Sequence, residues 1–157
     1  MRILHDELGS ALEHSKLAVR LTMFAKYAND TDAGRELWRT ITALAERQAS
    51  LEGWEGNEAQ IRNAGFLSLL GTVWSVLCQH CDGKGTAADS TAHRCIECDG
   101  KGTTVFNSEQ AGSLLGVSPD VYRATWSPRV ERLRSIVSGW EQDGLAHAVL
   151  YTATFEN

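Results

Sequence analysis

Four cysteines are the residues of this chain whose type and spacing point most directly to chemistry. They form two Cys-x-x-Cys pairs, Cys78 with Cys81 and Cys95 with Cys98, within a stretch of 21 residues. Two residues between cysteines let one tight turn present both thiolates to a single ion. In a reducing compartment such pairs indicate a metal site before they indicate disulfides. The spacing therefore predicts one metal ion held by all four sulfurs.

The two pairs belong to an internal repeat. Residues 78–85 and 95–102 both read Cys-x-x-Cys-x-Gly-x-Gly, and both contain Asp-Gly-Lys-Gly. The glycines let the backbone fold back without a Cβ clash, which leaves amides free to face the sulfurs. Four thiolates close a tetrahedral zinc site with no position for water, so we expect structural zinc and no enzymatic activity. The alternatives are an iron–sulfur centre or a redox dithiol pair, although the βαβ context of thioredoxin-like motifs is not predicted here.

Two histidines lie close to the cysteines in the sequence. His80 sits inside the first pair, and His93 precedes Cys95 by two residues. Either imidazole is able to replace a thiolate as a zinc ligand. Because four cysteines already complete the set, we expect both histidines to be exposed loop residues.

Hydrophobic spacing predicts that helices position this segment on both sides. We expect an N-terminal helical region over residues 1–77, a zinc knuckle over 78–106, helices over 107–148, and a short tail over 149–157. Polar residues 29–32 and Gly53 separate the first three helices, and the third is expected to run directly into Cys78. The predicted core stripes are Leu4, Leu8 and Leu12; Leu17, Leu21, Phe24 and Ala28; Leu37, Ile41, Leu44 and Ala45; and Phe66, Leu70, Val73 and Leu77.

Residues 107–123 carry the pattern of a helix-turn-helix. Ser108 is suited to cap a short helix, and Gly116 to end it in the left-handed conformation. Ser118 then caps a second helix with Pro119 at its first position. Gly112 allows a close crossing, and the angle between the helices is predicted to be filled by Leu115, Val117 and Val121. The predicted fold class is mainly α: one compact helical domain with an inserted zinc knuckle of short β-hairpin-like loops, followed by the helix-turn-helix.

The second helix of such a motif enters the DNA major groove through its N-terminal residues. Here these include Tyr122 and Arg123, and Arg123 is the best candidate for a base or phosphate contact. Ser127 and Pro128 are expected to start a further helix. The phosphate candidates on that helix are Arg129, Arg132 and Arg134.

Charge and composition limit the classes of function. The net charge of −5 has the wrong sign for a protein that coats nucleic acid, so any DNA-binding face must be local. With 43% hydrophobic residues and two prolines, the chain is expected to fold. No apolar run reaches the roughly 18 residues of a membrane span, and the N-terminus becomes acidic where a secretory signal would be apolar. We expect a soluble, cytoplasmic protein with no membrane partner.

The cysteine repeat resembles the zinc region of DnaJ chaperones. That family carries four such repeats and a J-domain with a His-Pro-Asp motif, whereas this sequence has two repeats and no His-Pro-Asp. A more selective resemblance covers residues 65–141. The order of helices, knuckle and helix-turn-helix is similar to the Q antiterminators of lambdoid phages and to Q-like prophage proteins. The shared tail pattern comprises Gly116-Val117-Ser118, Tyr122-Arg123, Trp126, Pro128-Arg129, Leu133 and Trp140-Glu141.

This resemblance implies a transcription regulator. Members of the family bind DNA near a phage late promoter, engage paused RNA polymerase and let it ignore terminators. Carried over by position, the four cysteines would hold zinc. Arg123, Arg129, Arg132 and Arg134 would contact DNA, and the N-terminal helices would face the polymerase. The alternative hypothesis is a zinc-knuckle module that binds a protein partner, as a chaperone does, without a DNA role.

Overall fold

The fold of this chain is mainly α. The computed structural model describes residues 16–87 and 90–155. Helix α1 covers residues 16–27, α2 Thr31–Glu52 and α3 Glu58–Leu69. Four short strands follow: β1 Val76–Leu77, β2 Thr86–Ala87, β3 Ser90–Arg94 and β4 Thr103–Thr104. The chain then returns to helix with α4 Ser108–Leu115, α5 Pro119–Val121, a π-helical turn at Tyr122–Trp126, and α6 Ser127–Phe155.

Local side-chain chemistry explains where the first helices begin and end. Asp30 caps α2, because its Oδ1 accepts hydrogen bonds from the amides of Asp32 and Ala33 at 2.9 and 3.0 Å. Gly53 ends the same helix in the left-handed conformation at φ 62°. Asn57 caps α3 through a reciprocal capping box with Gln60. The breaks predicted at residues 29–32 and at Gly53 are confirmed.

Helices α2, α3 and α6 enclose the hydrophobic core. The predicted stripe of α2 is confirmed, with Leu44 partly buried at its edge. Burial of these side chains is the main source of stability for this part of the chain. The side chains that share full or nearly full burial are Leu37, Ile41, Ala45, Ala64, Leu67, Leu69, Val130, Leu133 and Val137.

The buried face of α1 is rotated relative to the predicted one. Leu17 and Phe24 are half exposed, whereas Ala18, Thr22 and Ala25 are buried. Small side chains take the fully buried positions of α1, Leu21 packs partly buried against the core as predicted, and Leu17 and Phe24 are turned outward. Leu4, Leu8 and Leu12 lie outside the described residues.

The prediction that α3 runs into Cys78 is wrong. The helix stops at Leu69, and Gly71 then turns the chain at φ 83°. A side chain at Gly71 would place its Cβ 2.5 Å from Val105, so this turn requires glycine. Beyond it, β1 pairs antiparallel with β4 in the register Val76–Thr104 and Leu77–Thr103. Leu77 is consequently 64% exposed and lies outside the core.

The cysteines lie in the segment 76–104, which we call the cysteine module. Strands β1 and β4 close its base, and β2 pairs antiparallel with β3 in the loop between the cysteine pairs. The short β-hairpin-like elements predicted for this region are therefore present. Among residues 76–86 and 93–104, only the four cysteines, Gly85 and Gly102 are buried.

Helices α4 and α5 meet at a tight corner over residues 116–118. Gly116 is left-handed at φ 67°, and the Ser118 hydroxyl accepts a hydrogen bond from the Val121 amide, as predicted. The cap of α4 is Asn107 and not Ser108, because Asn107 forms a capping box with Gln110. The second helix is also rotated from the prediction: its buried residue at the corner is Tyr122, and Val121 is exposed.

No break separates α6 from the π-helical turn before it, so the helix cap predicted at Ser127 is absent. Ser127 keeps right-handed helical dihedral angles, and its amide bonds to the carbonyl of Tyr122 five residues back. Pro128 has no amide to donate, which accounts for the shift of the hydrogen-bond ladder to the π pattern just before it. One continuous helix therefore extends from Pro119 to Phe155, through most of the predicted tail. In the described part of the chain, no helix has the length and apolar character needed to cross a membrane.

Candidate metal centre and the arginine-bearing helices

The four cysteine sulfurs converge on one point inside the cysteine module. All four Sγ atoms lie within 4.8 Å of one another, and each residue is at most 5% exposed. Two of these contacts join the two halves of the repeat: Cys78 to Cys95 at 4.0 Å and Cys81 to Cys98 at 3.7 Å. A disulfide needs about 2.05 Å between sulfurs, so these are free thiols. Four convergent buried thiols form a ligand set for a metal ion.

Backbone hydrogen bonds hold the two halves of the repeat against each other in an almost symmetric way. The Cys78 amide donates to the carbonyl of Gly102 at 2.9 Å, and the Cys95 amide donates to that of Gly85 at 3.0 Å. Two further amides point at sulfur: Gly85 donates to Cys81 Sγ and Gly102 to Cys98 Sγ, each at 3.2 Å. Such bonds stabilise thiolate charge. Each half of the repeat thus orients ligands of its own and packs on the other half.

The glycines of the repeat allow this close approach. A Cβ on Gly85 would lie 2.4 Å from the carbonyl oxygen of Gly100, and a Cβ on Gly102 would lie 2.3 Å from that of Gly83. All four glycines also have φ between 73° and 77°. No side chain fits at Gly85 or Gly102 without moving backbone atoms.

The pKa values of the cysteines differ across the site. Burial acts to raise the pKa of Cys98, but the amide of Gly102 and the neighbouring thiols donate to its sulfur and lower it to about 7. The pKa of Cys95 is raised to about 11. A hydrogen bond from the backbone at Cys98 acts to lower this pKa, but burial of the thiol and its hydrogen bonds with the Cys98 and Cys81 side chains outweigh that effect. The thiols do not all ionise readily together, because like charges this close repel. A bound cation would supply the compensating positive charge.

Neither histidine joins the sulfur cluster. His80 and His93 are exposed, and the group of residues whose ligand atoms converge consists of the four cysteines. Soft thiolate sets of this kind select zinc, copper(I) or iron–sulfur clusters over magnesium or calcium.

Comparison with known proteins adds no relative. The chain matches no family model, no curated protein and no solved structure.

Three of the side chains predicted to contact DNA are buried or make contacts within the protein. Tyr122 is 8% exposed, and burial raises the pKa of its phenol. The Arg129 guanidinium lies between the rings of Trp54 and Trp126, at 5.3 and 4.8 Å from their centroids. Arg134 donates from Nη2 to the carbonyls at the end of α3, those of Leu67 and Leu70, at 3.1 and 3.4 Å.

The other two arginines are on the surface. Arg123 is 57% exposed at its side chain and forms an ion pair with Asp120 one turn earlier. Arg132 is 60% exposed and pairs with Glu52 of α2 at 2.7 Å. Their availability for DNA stays a prediction.

The contacts that position Arg129 are not predicted by the sequence pattern. Arg129 also donates to the carbonyl of Glu55 at 3.0 Å, so it joins α6 to the loop between α2 and α3. Gly56 lies under the same ring system, because a Cβ there would be 2.7 Å from Trp126. Two tryptophans flanking an arginine in space are 72 residues apart in sequence, which no local pattern reveals.

Proposed function

We propose that this chain is a DNA-binding transcription regulator of the Q antiterminator type, stabilised by one structural zinc ion. It would bind DNA near a phage late promoter and engage RNA polymerase. The proposal rests on the order of the cysteine module and the helical corner, together with the sequence resemblance over residues 65–141. It implies a cytoplasmic protein with no catalytic site.

The sulfur geometry supports zinc as the metal. Zinc–sulfur bonds of about 2.3 Å in a tetrahedron place neighbouring sulfurs about 3.8 Å apart. The Cys78–Cys95 and Cys81–Cys98 separations of 4.0 and 3.7 Å lie on either side of that value. Cys78, Cys81, Cys95 and Cys98 would be its ligands, and the ion would supply folding energy to a segment with little apolar surface to bury.

The corner between α4 and α5 is the single observation that carries the DNA-binding part. Gly112 of α4 approaches the turn so closely that a Cβ there would lie 2.8 Å from the carbonyl oxygen of Val117, so the turn folds tightly back on α4. The second helix therefore projects from the corner with Asp120 and Arg123 exposed near its start. In a helix-turn-helix the N-terminal part of the second helix enters the major groove, and we propose the same role for this corner.

The exposed ion pairs are compatible with phosphate binding. Exposed pairs such as Arg123–Asp120 contribute little stability, so exchanging a carboxylate for a phosphate costs little. Arg132 is in a similar position beside Glu52. With Tyr122, Arg129 and Arg134 committed to the fold, Arg123 and Arg132 carry the DNA contacts of the proposal, and each phosphate contact makes binding salt-dependent.

Terminator read-through in a purified transcription system tests the function. The template carries the promoter downstream of this gene, followed by a terminator. We expect read-through with the wild type, loss with Cys78→Ser, and at least a tenfold loss with Arg123→Glu. Arg39→Glu is the matched control, because Arg39 is also exposed and pairs with a carboxylate one turn earlier. Equal activity of Arg123→Glu and Arg39→Glu would contradict the DNA-binding face.

A second candidate function has its own observation. The cysteine module exposes two large apolar side chains, Ile96 at 93% and Leu77 at 64%, with half-exposed Val105 next to the module. Large apolar side chains exposed to solvent are typical of protein-binding surfaces where they form one patch. A module that binds a protein through them would show binding insensitive to salt and unaffected by Arg123→Glu, but weakened by Ile96→Ser.

A further inference from the structure

A small pocket lies at the corner between α1 and α2. Its volume is about 200 Å³. Drug-sized ligands occupy pockets of roughly 300–1,000 Å³, so this one has room for a single ring system. Trp38 of α2 and Trp74 from the turn after α3 line it, with Gly34 between them.

The aromatic walls are held in place by a third ring. Phe66 contacts Trp38 edge-on, with centroids 6.1 Å apart, and contacts Trp74 in a tilted arrangement at 5.8 Å. Such pairs fix ring orientation. The indoles therefore form a pre-organised aromatic surface, which is what a planar ligand needs for stacking.

The rim of the pocket is polar and has no net charge. The lining includes one acidic and one basic residue, Asp30 and Arg35, together with Asn29 and Thr31. Asp30 uses Oδ1 for both hydrogen bonds of the α2 cap. Arg35 contacts Asp32 only at 3.4 Å, and both side chains are well exposed. The rim thus offers donors and acceptors side by side, which suits a neutral ring with both kinds of group on its edge.

Gly34 keeps the pocket open at an energetic cost. Glycine inside a helix is less stable than alanine by about 1 kcal/mol. Packing does not require it, because a Cβ at Gly34 would lie 3.7 Å from Cζ2 and 3.8 Å from Nε1 of Trp74, which is ordinary contact. That Cβ would lie against the Trp74 indole and take up space in the pocket. The glycine is explained if the indole must stay accessible to a ligand.

We propose that this pocket binds a nucleobase, stacked on the indoles and hydrogen-bonded through its edge at the rim. A plain phenyl or aliphatic group would gain nothing from the polar residues of the rim, and an ion would find no net opposite charge. The proposal is independent of the Arg123 face, which would meet duplex phosphates. The base reaches the pocket as a free nucleoside or as an unpaired residue of a single strand, since a base inside a duplex is not accessible for stacking.

Binding of nucleosides and oligonucleotides to the full chain tests the proposal. Quenching of tryptophan fluorescence is recorded with millimolar adenosine, guanosine, cytidine and thymidine. Fluorescence anisotropy is recorded with fluorescein-labelled strands of ten dA, dT or dC nucleotides and with a matched duplex. We expect quenching by at least one nucleoside, and single strands bound more tightly than the duplex. Nucleoside binding without strand binding would identify the free base as the ligand. No binding of any nucleoside or strand would overturn the proposal.

Two matched glycine variants locate the site. Gly34→Val fills the pocket, whereas Gly139→Val places the same side chain on α6 where no atom lies within 4 Å of the new Cβ. Because stacking of one base contributes about 1–3 kcal/mol, we expect binding at least about fivefold weaker in Gly34→Val and unchanged in Gly139→Val. Trp38→Leu should show the same loss. Equal binding by both glycine variants, each melting as the wild type does, would place the ligand elsewhere and overturn the assignment.

Discussion

The cysteine module and the helical core of this chain reach a fixed shape by opposite means. The core buries Leu37, Ile41 and Leu133 completely and needs no ligand to do so. The module buries four sulfurs, and its only hydrophobic cluster in the described residues consists of those cysteines. Apolar packing is therefore sufficient for one region, whereas the other relies on close contact between glycines and, in our proposal, on a bound zinc ion. The difference predicts that each region responds to perturbations that the other ignores.

Loss of one ligand is the strongest way to separate the two regions. We expect Cys78→Ser, or treatment with a strong chelator, to unfold the module while the helical core stays folded. Binding of structural zinc supplies about 10–16 kcal/mol in small zinc domains, so little of the module should persist without it. Metal content and hydrogen exchange over residues 76–104 are the measurements. His80→Ser is the control: a variant of His80 that also lost the metal would add it to the ligand set.

A cavity in the helical core should destabilise the core and leave the cysteine module intact. Leu133→Ala removes a fully buried side chain, which lowers the free energy of unfolding by about 2–5 kcal/mol. We expect the folded fraction to keep its full metal content. Urea unfolding followed by circular dichroism measures the loss. Leu145→Ala on the same helix is exposed and should change stability by less than about 0.5 kcal/mol.

Two glycines with nearly the same φ sharpen the comparison. Gly116 ends α4 at φ 67°, and no atom lies within 4 Å of the position that a Cβ would take, so Gly116→Ala should cost about 1 kcal/mol of backbone strain. Gly85 has φ 74°, but its Cβ would meet the Gly100 carbonyl at 2.4 Å. Gly85→Ala should therefore also weaken metal binding, by more than tenfold in a competition assay with a chromophoric chelator. Equal metal affinity of the two variants would show that the two halves of the repeat separate freely.

The smallest expected effect concerns pH and the contact between α1 and α6. Partial burial acts to raise the pKa of Glu141, but hydrogen bonds from Lys26, at 2.7 Å, and from Tyr27 outweigh it and lower the pKa below 4.5. A lowered pKa stabilises the folded state above pH 4.5, and this contribution disappears as the pH falls through the folded-state pKa. The hydrogen bond to Glu141 raises the pKa of Tyr27, so its contribution is present below pH 10 and is lost above it.

Melting temperatures of the wild type and of Glu141→Gln measure this contribution between pH 3 and pH 8. The wild type should melt higher at pH 7, by an amount that reflects less than about 1 kcal/mol, and the two curves should approach each other as the pH falls below 4.5. A difference that stays constant with pH would assign the effect to packing and not to charge.

Local chemistry made part of this fold predictable. Asp30, Gly53, Gly116 and Ser118 act on neighbours within a few residues, and the structure confirms each of them. The cysteine spacing likewise identified all four members of the cluster. These features depend on short stretches of chain, which a sequence displays directly.

Apart from the caps expected at Ser108 and Ser127, the errors come from contacts between distant residues. Leu77 continues the spacing of α3, but pairing of β1 with Thr103 across the module takes it out of the helix. Tyr122 and Arg134 look like surface residues of an amphipathic helix. The first is buried at the corner, and the second binds carbonyls 64 and 67 residues away. Amphipathic spacing assigns a face to a helix, but the rotation of that face is decided by the partner it meets.

The continuity of the helix from Pro119 to Phe155 has a mechanical consequence. At 1.5 Å per residue it forms a rod about 55 Å long, with Arg123 near one end. About 27 Å further along the helix, Glu141 forms an ion pair with Lys26 of α1. If the helix pivots as a rigid body about the corner, a tilt of about 5° moves Glu141 by about 2 Å. A molecule docked at the corner would then exert leverage on α1 without touching it.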